Sequence, residues 1–149
     1  MKVVEIMSKE VKSLSPDMTA REAFDIISGM EISGLPVIDK DGKLVGMFTE
    51  KDVLSHILPS YIEKVGRFVY EQNPKSTKKK ITELGNIKVS QIMRKEVLKV
   101  NEDTTLCEVG RIMLTEKARR IPVVNKDGVV VGIVARCDIL KAMAKESEI

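Results

Sequence analysis

Leu35-Pro36-Val37-Ile38-Asp39-Lys40-Asp41-Gly42-Lys43-Leu44-Val45-Gly46 returns 86 residues later as Ile121-Pro122-Val123-Val124-Asn125-Lys126-Asp127-Gly128-Val129-Val130-Val131-Gly132. In each copy two apolar runs flank an Asp-Gly pair, which favours a tight reversal because Gly tolerates positive φ. The pattern predicts paired strands over residues 35–38 and 44–48, joined by a turn at 39–42. It predicts the same again over 121–124 and 129–134, with a turn at 125–128. Working outward, residues 3–57 lie over residues 89–143 without a gap, with 19 identities in 55 positions. A repeat of this length is a supersecondary unit that cannot close its own core, so two copies are expected to stack face to face. The groove between such copies is where a ligand is expected.

Each copy opens with an extended segment, residues 11–14 and 97–100, followed by a helix start. Thr19-x-x-Glu22 and Thr105-x-x-Glu108 both read as capping boxes, in which hydroxyl and carboxylate reciprocally satisfy orphan backbone N–H groups. Behind the first, Ala20, Ala23, Phe24, Ile27 and Met30 recur at helical spacing; Leu106, Val109, Ile112 and Met113 do so behind the second. These stripes are core positions. A last helix follows each strand pair: residues 52–58 with Val53, Leu54 and Ile57 inward, and residues 138–145 with Ile139, Leu140 and Met143 inward. The fold class is therefore α/β (α+β): two β-α-β-β-α repeats stacked through their sheets, each with both helices on one face. The domain reading is residues 1–57 as repeat 1, 58–88 as a basic, partly helical insert, and 89–149 as repeat 2.

The chain has 149 residues, 43% apolar and 32% charged, which fits a soluble globular module able to bury a core. Its longest uncharged apolar run, residues 128–135, is too short to span a bilayer, and Lys2 and Glu5 do not suit a secretion signal. A cytoplasmic location is expected. Cys107 and Cys137 have no Cys-His cluster near them in sequence, so two buried free thiols are expected and no metal site. The single histidine, His56, sits near a helix end with no obvious catalytic partner.

The net charge of +3 is concentrated in the insert, where seven Lys/Arg against three Glu give +4. Lys78-Lys79-Lys80 reads as a solvated loop, although a basic run also suits an anionic partner. Ser60-x-x-Glu63 is a third capping box, and Tyr61, Ile62, Val65, Phe68 and Val69 behind it form an amphipathic helix pattern. That stripe is expected to bury on its own chain, a second subunit or a partner. After Pro74 a short helical turn is expected through residues 81–84, ending at Gly85.

Gly46-Met47-Phe48-Thr49-Glu50-Lys51-Asp52 closes the last strand of repeat 1 and opens its last helix. Thr49-x-x-Asp52 fits a helix cap, with the carboxylate favoured by the helix dipole. The same geometry suits binding: a strand-to-helix switch aims backbone N–H groups at an anion, and a carboxylate beside it accepts ribose hydroxyls. From the residues alone both readings stay open.

Ile6-Met7, Leu35-Pro36-Val37-Ile38, Asp41-Gly42, Val45-Gly46 and Thr49-x-x-Asp52, all in order and doubled, resemble the CBS domain, the cystathionine β-synthase regulatory repeat. The resemblance covers nearly the whole chain outside the insert. It implies a pseudo-twofold pair with two clefts that commonly bind AMP, ADP, ATP or S-adenosylmethionine, as in the γ subunit of AMP-activated protein kinase. Some members bind another ligand or none. Carried over by position, the ribose carboxylate matches Asp52 in one cleft and Asp138 in the other. The hydroxyl before it matches Thr49, with Ala135 in the second copy. The adenine frame matches Ser33, Gly34 and Leu35, with Met47 beside them, closed over by Val97 and Leu98 of the opposite copy. The phosphate cations match Arg119 and Arg120, whose counterparts in the first copy, Ser33 and Gly34, carry no charge. Read without the resemblance, the two arginines are exposed helix-end charges.

The leading expectation is a non-enzymatic sensor of an adenine nucleotide or S-adenosylmethionine, with no catalytic cofactor. The alternatives are a structural dimerisation module with empty clefts and a nucleic-acid-binding protein using the basic insert. No nucleophile–base pair, metal-ligand cluster or Gly-rich phosphate loop points to catalysis. The resemblance also implies pairing of modules through their helices, so a homodimer is expected, with an effector protein as a further partner of the insert.

Overall fold

The computed structural model describes residues 1–58 and 74–147, with side chains omitted at 74–77 and 147. The predicted insert helix behind Ser60, with Tyr61, Val65 and Phe68, lies outside the described residues. Among the described residues no helix is long and apolar enough to cross a membrane.

A 3-10 turn at Val3–Glu5 precedes helix α1 (Ala20–Gly29), strands β1 (Gly34–Ile38) and β2 (Leu44–Thr49), and helix α2 (Glu50–Ile57). Helix α3 (Pro74–Glu83) runs into a 3-10 turn at Leu84–Asn86 and a short helix, α4 (Val89–Ile92). The second copy supplies β3 (Val100–Asn101), α5 (Leu106–Thr115), β4 (Arg120–Val124), β5 (Val130–Ala135) and α6 (Arg136–Ser147). β1 and β2 form a two-stranded sheet; β3, β4 and β5 form a three-stranded one, parallel between β3 and β4 and antiparallel between β4 and β5. The mixed α/β order of two repeats agrees with the sequence reading.

The turns form as their residues dictate. Asp39 Oδ1 accepts the N–H groups of Asp41 and Lys43, both at 2.9 Å, and Asn125 Oδ1 accepts those of Asp127 and Val129 at 2.9 and 3.1 Å. Gly42 and Gly128 close these turns at φ +83° and +81°. Helices α1 and α5 are capped by Thr19 and Thr105, which accept the N–H groups of Glu22 and Glu108 at 3.1 and 3.3 Å. Both boxes stay half-formed. Glu108 turns to Arg111 instead, and that guanidinium holds its carboxyl below the usual range. The first N–H of each helix is taken from elsewhere: Ala20 donates to Ile87 O (2.7 Å) and Leu106 to Met1 O (3.2 Å).

Those last contacts reveal how the two copies are built. The chain divides into two compact units that do not follow the repeats in sequence. One comprises Met1–Lys12, Ile38–Leu44 and Val97–Ile149; the other comprises Ser13–Val37 and Val45–Glu96. In the first unit Val3 is fully buried with Val109, Ile121, Val123 and Val134. In the second, its equivalent Val89 is fully buried with Ala23, Ile27, Val37 and Phe48. The opening segment of each repeat thus packs into the core of the other. The tip of the first hairpin also belongs to the first unit, where Val130 N–H donates to Gly42 O at 2.9 Å and Lys43 bridges Val129.

Several sequence expectations are corrected. The extended segment 11–14 reduces to one parallel bridge, Leu14 to Val37, and its counterpart 97–100 yields only Val100 as a strand residue. Leu54 and Leu140 are exposed beside the buried Val53 and Ile139, because neighbouring positions on a helix point about 100° apart, and Met143 is 36% exposed. Cys107 and Cys137 are exposed, not buried. Lys78-Lys79-Lys80 lies in α3, and Lys80 pairs with Glu83 one turn on at 3.8 Å. The helical turn expected at residues 81–84 is the end of that longer helix, and Gly85 sits inside a 3-10 turn without ending it in a left-handed cap.

Candidate functional site

In the second unit, β2 hands over to α2 at Thr49, whose extended backbone (φ −130°, ψ 164°) turns the chain into the helix. Here the capping box is complete. Asp52 N–H donates to Thr49 Oγ1 at 3.4 Å, and Thr49 N–H donates to Asp52 Oδ2 at 2.8 Å. The Thr49 hydroxyl also donates to the same Oδ2, at 3.1 Å. One carboxylate oxygen therefore takes two donors, while no donor among the described residues reaches Oδ1. The first turn of α2 keeps this half-buried carboxylate favourable, because its free N–H groups carry partial positive charge.

Ser33 and Gly34 are brought to the same end. Glu50 N–H donates to Ser33 O at 2.8 Å. A Cβ on Gly34 would lie 2.7 Å from Thr49 Cγ2 and 2.6 Å from Phe48 O, so nothing larger than glycine fits there as the chain stands. Met47 is half-buried on β2 and exchanges both backbone hydrogen bonds with Arg94, each at 2.8 Å. Leu35 is a core residue, which leaves its backbone as the part able to meet a ligand. Ser33, Gly34, Met47, Thr49 and Asp52 thus gather around one strand-to-helix switch.

The first unit holds the equivalent switch with different chemistry. Ala135 N–H donates to Asp138 Oδ2 at 2.8 Å, but no hydroxyl joins it. Arg120 stands directly opposite Ala135 in the β4–β5 register. Arg136 N–H donates to Arg119 O at 3.1 Å, and its Nε donates to Ala118 O at 2.9 Å. Arg119, Arg120 and Arg136 are all exposed at this end. Val97 and Leu98 are half-buried, Leu98 against the core that contains Val100. Among the described residues no cluster of His, Cys, Asp and Glu is arranged to hold a metal ion.

Sequence reasoning passed over Arg94. It pairs with Met47, yet it occupies the position of Ser8 in the repeat, so no identity drew attention to it. Also unread was the apolar groove of about 510 Å³ between α5 and α6, lined by Cys107, Gly110, Leu114, Ile139, Leu140 and Met143. Leu114 and Leu140 are 76% and 66% exposed on its rim.

The family model of the CBS domain matches residues 3–59 and 89–145. The chain is 33% identical over 151 residues to the chloroplastic CBS domain-containing protein CBSX1 of Arabidopsis thaliana, covering 94% of this chain and 63% of that protein. It is 31% identical over 140 residues to an inosine-5'-monophosphate dehydrogenase of Methanocaldococcus jannaschii, of which it spans only 23%. Among solved structures, that of the CBS-pair protein CBSX2 from Arabidopsis thaliana superposes with a TM-score of 0.76 at 25% identity, covering 99% of this chain and 97% of that one. CBSX2 has also been crystallised in complex with AMP; that structure superposes with a TM-score of 0.71 at 24% identity, covering 98% of each chain.

Proposed function

Because the chain belongs to the CBS domain family and carries the domain twice, we propose that it is a non-enzymatic, cytoplasmic sensor of an adenosine-containing ligand. The candidates are AMP, ADP, ATP and S-adenosylmethionine. The observation that carries this reading is the state of Asp52. Its Oδ2 is held by the N–H and hydroxyl of Thr49, while Oδ1 has no donor among the described residues. An ionised carboxylate fixed in this way is suited to accept the vicinal hydroxyls of a ribose. The AMP complex of the relative CBSX2 supports the choice of ligand class.

In this reading Ser33, Gly34 and Leu35 frame the base with their backbone, and Met47 packs beside it. Asp138 gives a second, weaker position, since Ala135 supplies no hydroxyl. The activity of the far longer dehydrogenase is not carried over, because the match spans only a minor part of it. The test is a melting series with AMP, ADP, ATP and S-adenosylmethionine, followed by calorimetry. Ligand at about 100 times its dissociation constant stabilises by about 2.7 kcal/mol. For a chain of this size that is a rise of roughly 5–10 °C. No shift with any of the four sinks the reading.

The exposed leucines beside the α5–α6 groove favour one addition, a homodimer with twofold symmetry, the default for self-complementary apolar surfaces. Light scattering at tens of micromolar decides it, a monomer being the contrary result. A dimer without nucleotide binding would favour the purely structural module. Gel retardation that weakens as salt rises would favour nucleic acid at the basic helix α3.

A further inference from the structure

Ile6-Met7 and Ile92-Met93 are repeated in the two copies, and so are the glycines they lie against. In the second unit the Sδ of Met93 is the atom nearest to where a side chain on Gly46 would begin, 2.6 Å from that point. In the first unit the Sδ of Met7 stands in the same way over Gly132. Each thioether thus fills the place of a missing side chain on the second hairpin strand. The next residue along makes a bridge: Arg94 exchanges both backbone hydrogen bonds with Met47, and Ser8 does so with Ile133. Sulfur, glycine and bridge form one contact in each unit.

That contact is chemically vulnerable at the sulfur. A thioether is apolar and soft enough to pack against bare backbone, and it is also a group that peroxides oxidise. Met7 and Met93 are half-buried, which leaves them within reach of a small oxidant, whereas Met113 is 2% exposed in the core. Oxidation places a strong hydrogen-bond acceptor on the atom that touches the strand. The backbone donors of the bridge are already spent: Arg94 and Met47 N–H in one unit, Ser8 and Ile133 N–H in the other. The new oxygen either takes a donor from the bridge or stays unpartnered beside it, and both weaken the contact.

We propose that Met7 and Met93 are oxidation sites through which a peroxide releases the opening segments from the hairpin strands. The step is a two-electron oxygen transfer. The O–O bond of hydrogen peroxide breaks, an S–O bond forms, the sulfur is oxidised and water leaves. A methionine sulfoxide reductase, using a dithiol as reductant, reverses it. In the second unit Met93 acts beside Met47, so its oxidation loosens the strand that carries Thr49 into the adenosine site. That ligand half rests on the proposed function; release of the segments rests on packing alone.

The experiment uses the full chain with Cys107 and Cys137 replaced by Ser, because both thiols are exposed and react with peroxide themselves. After hydrogen peroxide, peptide mass spectrometry is expected to find one added oxygen on Met7 and on Met93. The melting temperature is expected to fall by roughly 4–10 °C. M7L/M93L, which conserves volume, is expected to keep most of its melting temperature under the same treatment. Met1 and Met143, 49% and 36% exposed, oxidise in both chains and serve as the control. Methionine sulfoxide reductase is expected to restore the stability that the parent chain loses. For the ligand half, calorimetry with AMP is expected to show peroxide weakening binding about fivefold or more in M7L and much less in M93L. Met47 is present in both variants, so its own oxidation does not separate them.

An equal melting loss in M7L/M93L and in the parent chain overturns the proposal, as does a folded chain whose Met7 and Met93 take up no oxygen. Equal loss of AMP affinity in M7L and M93L overturns the ligand half. If the untreated chain binds no AMP, the proposed site fails for that nucleotide and takes the ligand half with it, while the melting arms still decide the oxidation sites.

Discussion

Met47 and Arg94 exchange both backbone hydrogen bonds at 2.8 Å, and 86 positions away Ile133 and Ser8 do the same at 2.9 Å. These bridges hold the opening segment of one repeat against the second hairpin strand of the other. They bring two backbones so close that the residue before each strand partner has no room for a side chain. Gly46 and Gly132 are identical in the two copies for this reason.

A Cβ on Gly46 would lie 2.6 Å from Met93 Sδ and 2.7 Å from Arg94 O. Methionine can yield, but a carbonyl within a bridge cannot do so without breaking it. Gly46→Ala is expected to cost about 1–3 kcal/mol in chemical denaturation. Gly110→Ala is the opposite case, since a Cβ there meets nothing within 4 Å inside α5. It is expected to stabilise by about 0.5–1 kcal/mol.

In the proposed site, Asp52→Asn removes the charge offered to the ribose diol while keeping size and some capping ability. Affinity for the best adenosine ligand is expected to fall roughly 10- to 150-fold, from about 1.5–3 kcal/mol for a charge-assisted contact. Asp138→Asn is expected to change the tight site far less. Calorimetry on both variants checks this, and equal losses would show that the two positions are equivalent.

Glu31 and Lys117, one after each first helix, hold left-handed backbone at φ 57° and 55°. Neither is glycine, so each carries steric strain of roughly 1–2 kcal/mol, partly offset by its smaller entropy loss on folding. Glu31→Gly and Lys117→Gly are each expected to raise stability by about 0.5–1 kcal/mol. Urea titrations read this directly, and a loss of stability would show that the side chains make compensating contacts.

Val3 and Val89 are buried far from their own repeats in sequence, so each is expected to behave as a core residue of the other copy. Val3→Ala and Val89→Ala are each expected to cost about 2 kcal/mol, the burial of two methyl groups plus a residual cavity. Destabilisation of only a few tenths in denaturant would place Val3 in a frayed terminus.

The periodic elements were legible because their signals are local. The stripe from Ala20 to Met30, the cap at Thr49 and the Asp39–Gly42 and Asn125–Gly128 turns each depend on residues a few positions apart. The cap that Asp52 makes with Thr49, and its counterpart at Asp138 without a hydroxyl at Ala135, were legible for the same reason. Which core an opening segment joins is a long-range pairing, 47 residues from Met47 to Arg94 and 125 from Ser8 to Ile133, and nothing near Val3 encodes it. The outward face of Leu140 was misread because a short amphipathic helix and a fully buried one share the same first three apolar spacings. Arg94 was missed because its role lies in backbone pairing, which any residue type can supply.

The exchange of opening segments makes the duplication more than a doubling. A single copy, residues 1–58, has its own helices and hairpin, but the valine and the edge partner it needs belong to the other copy's first dozen residues. Such a fragment can complete itself only by trading that dozen with an identical neighbour. Expressed alone, it is expected to sediment as an intertwined pair, and the tandem gene product is then that pair made permanent by a covalent link.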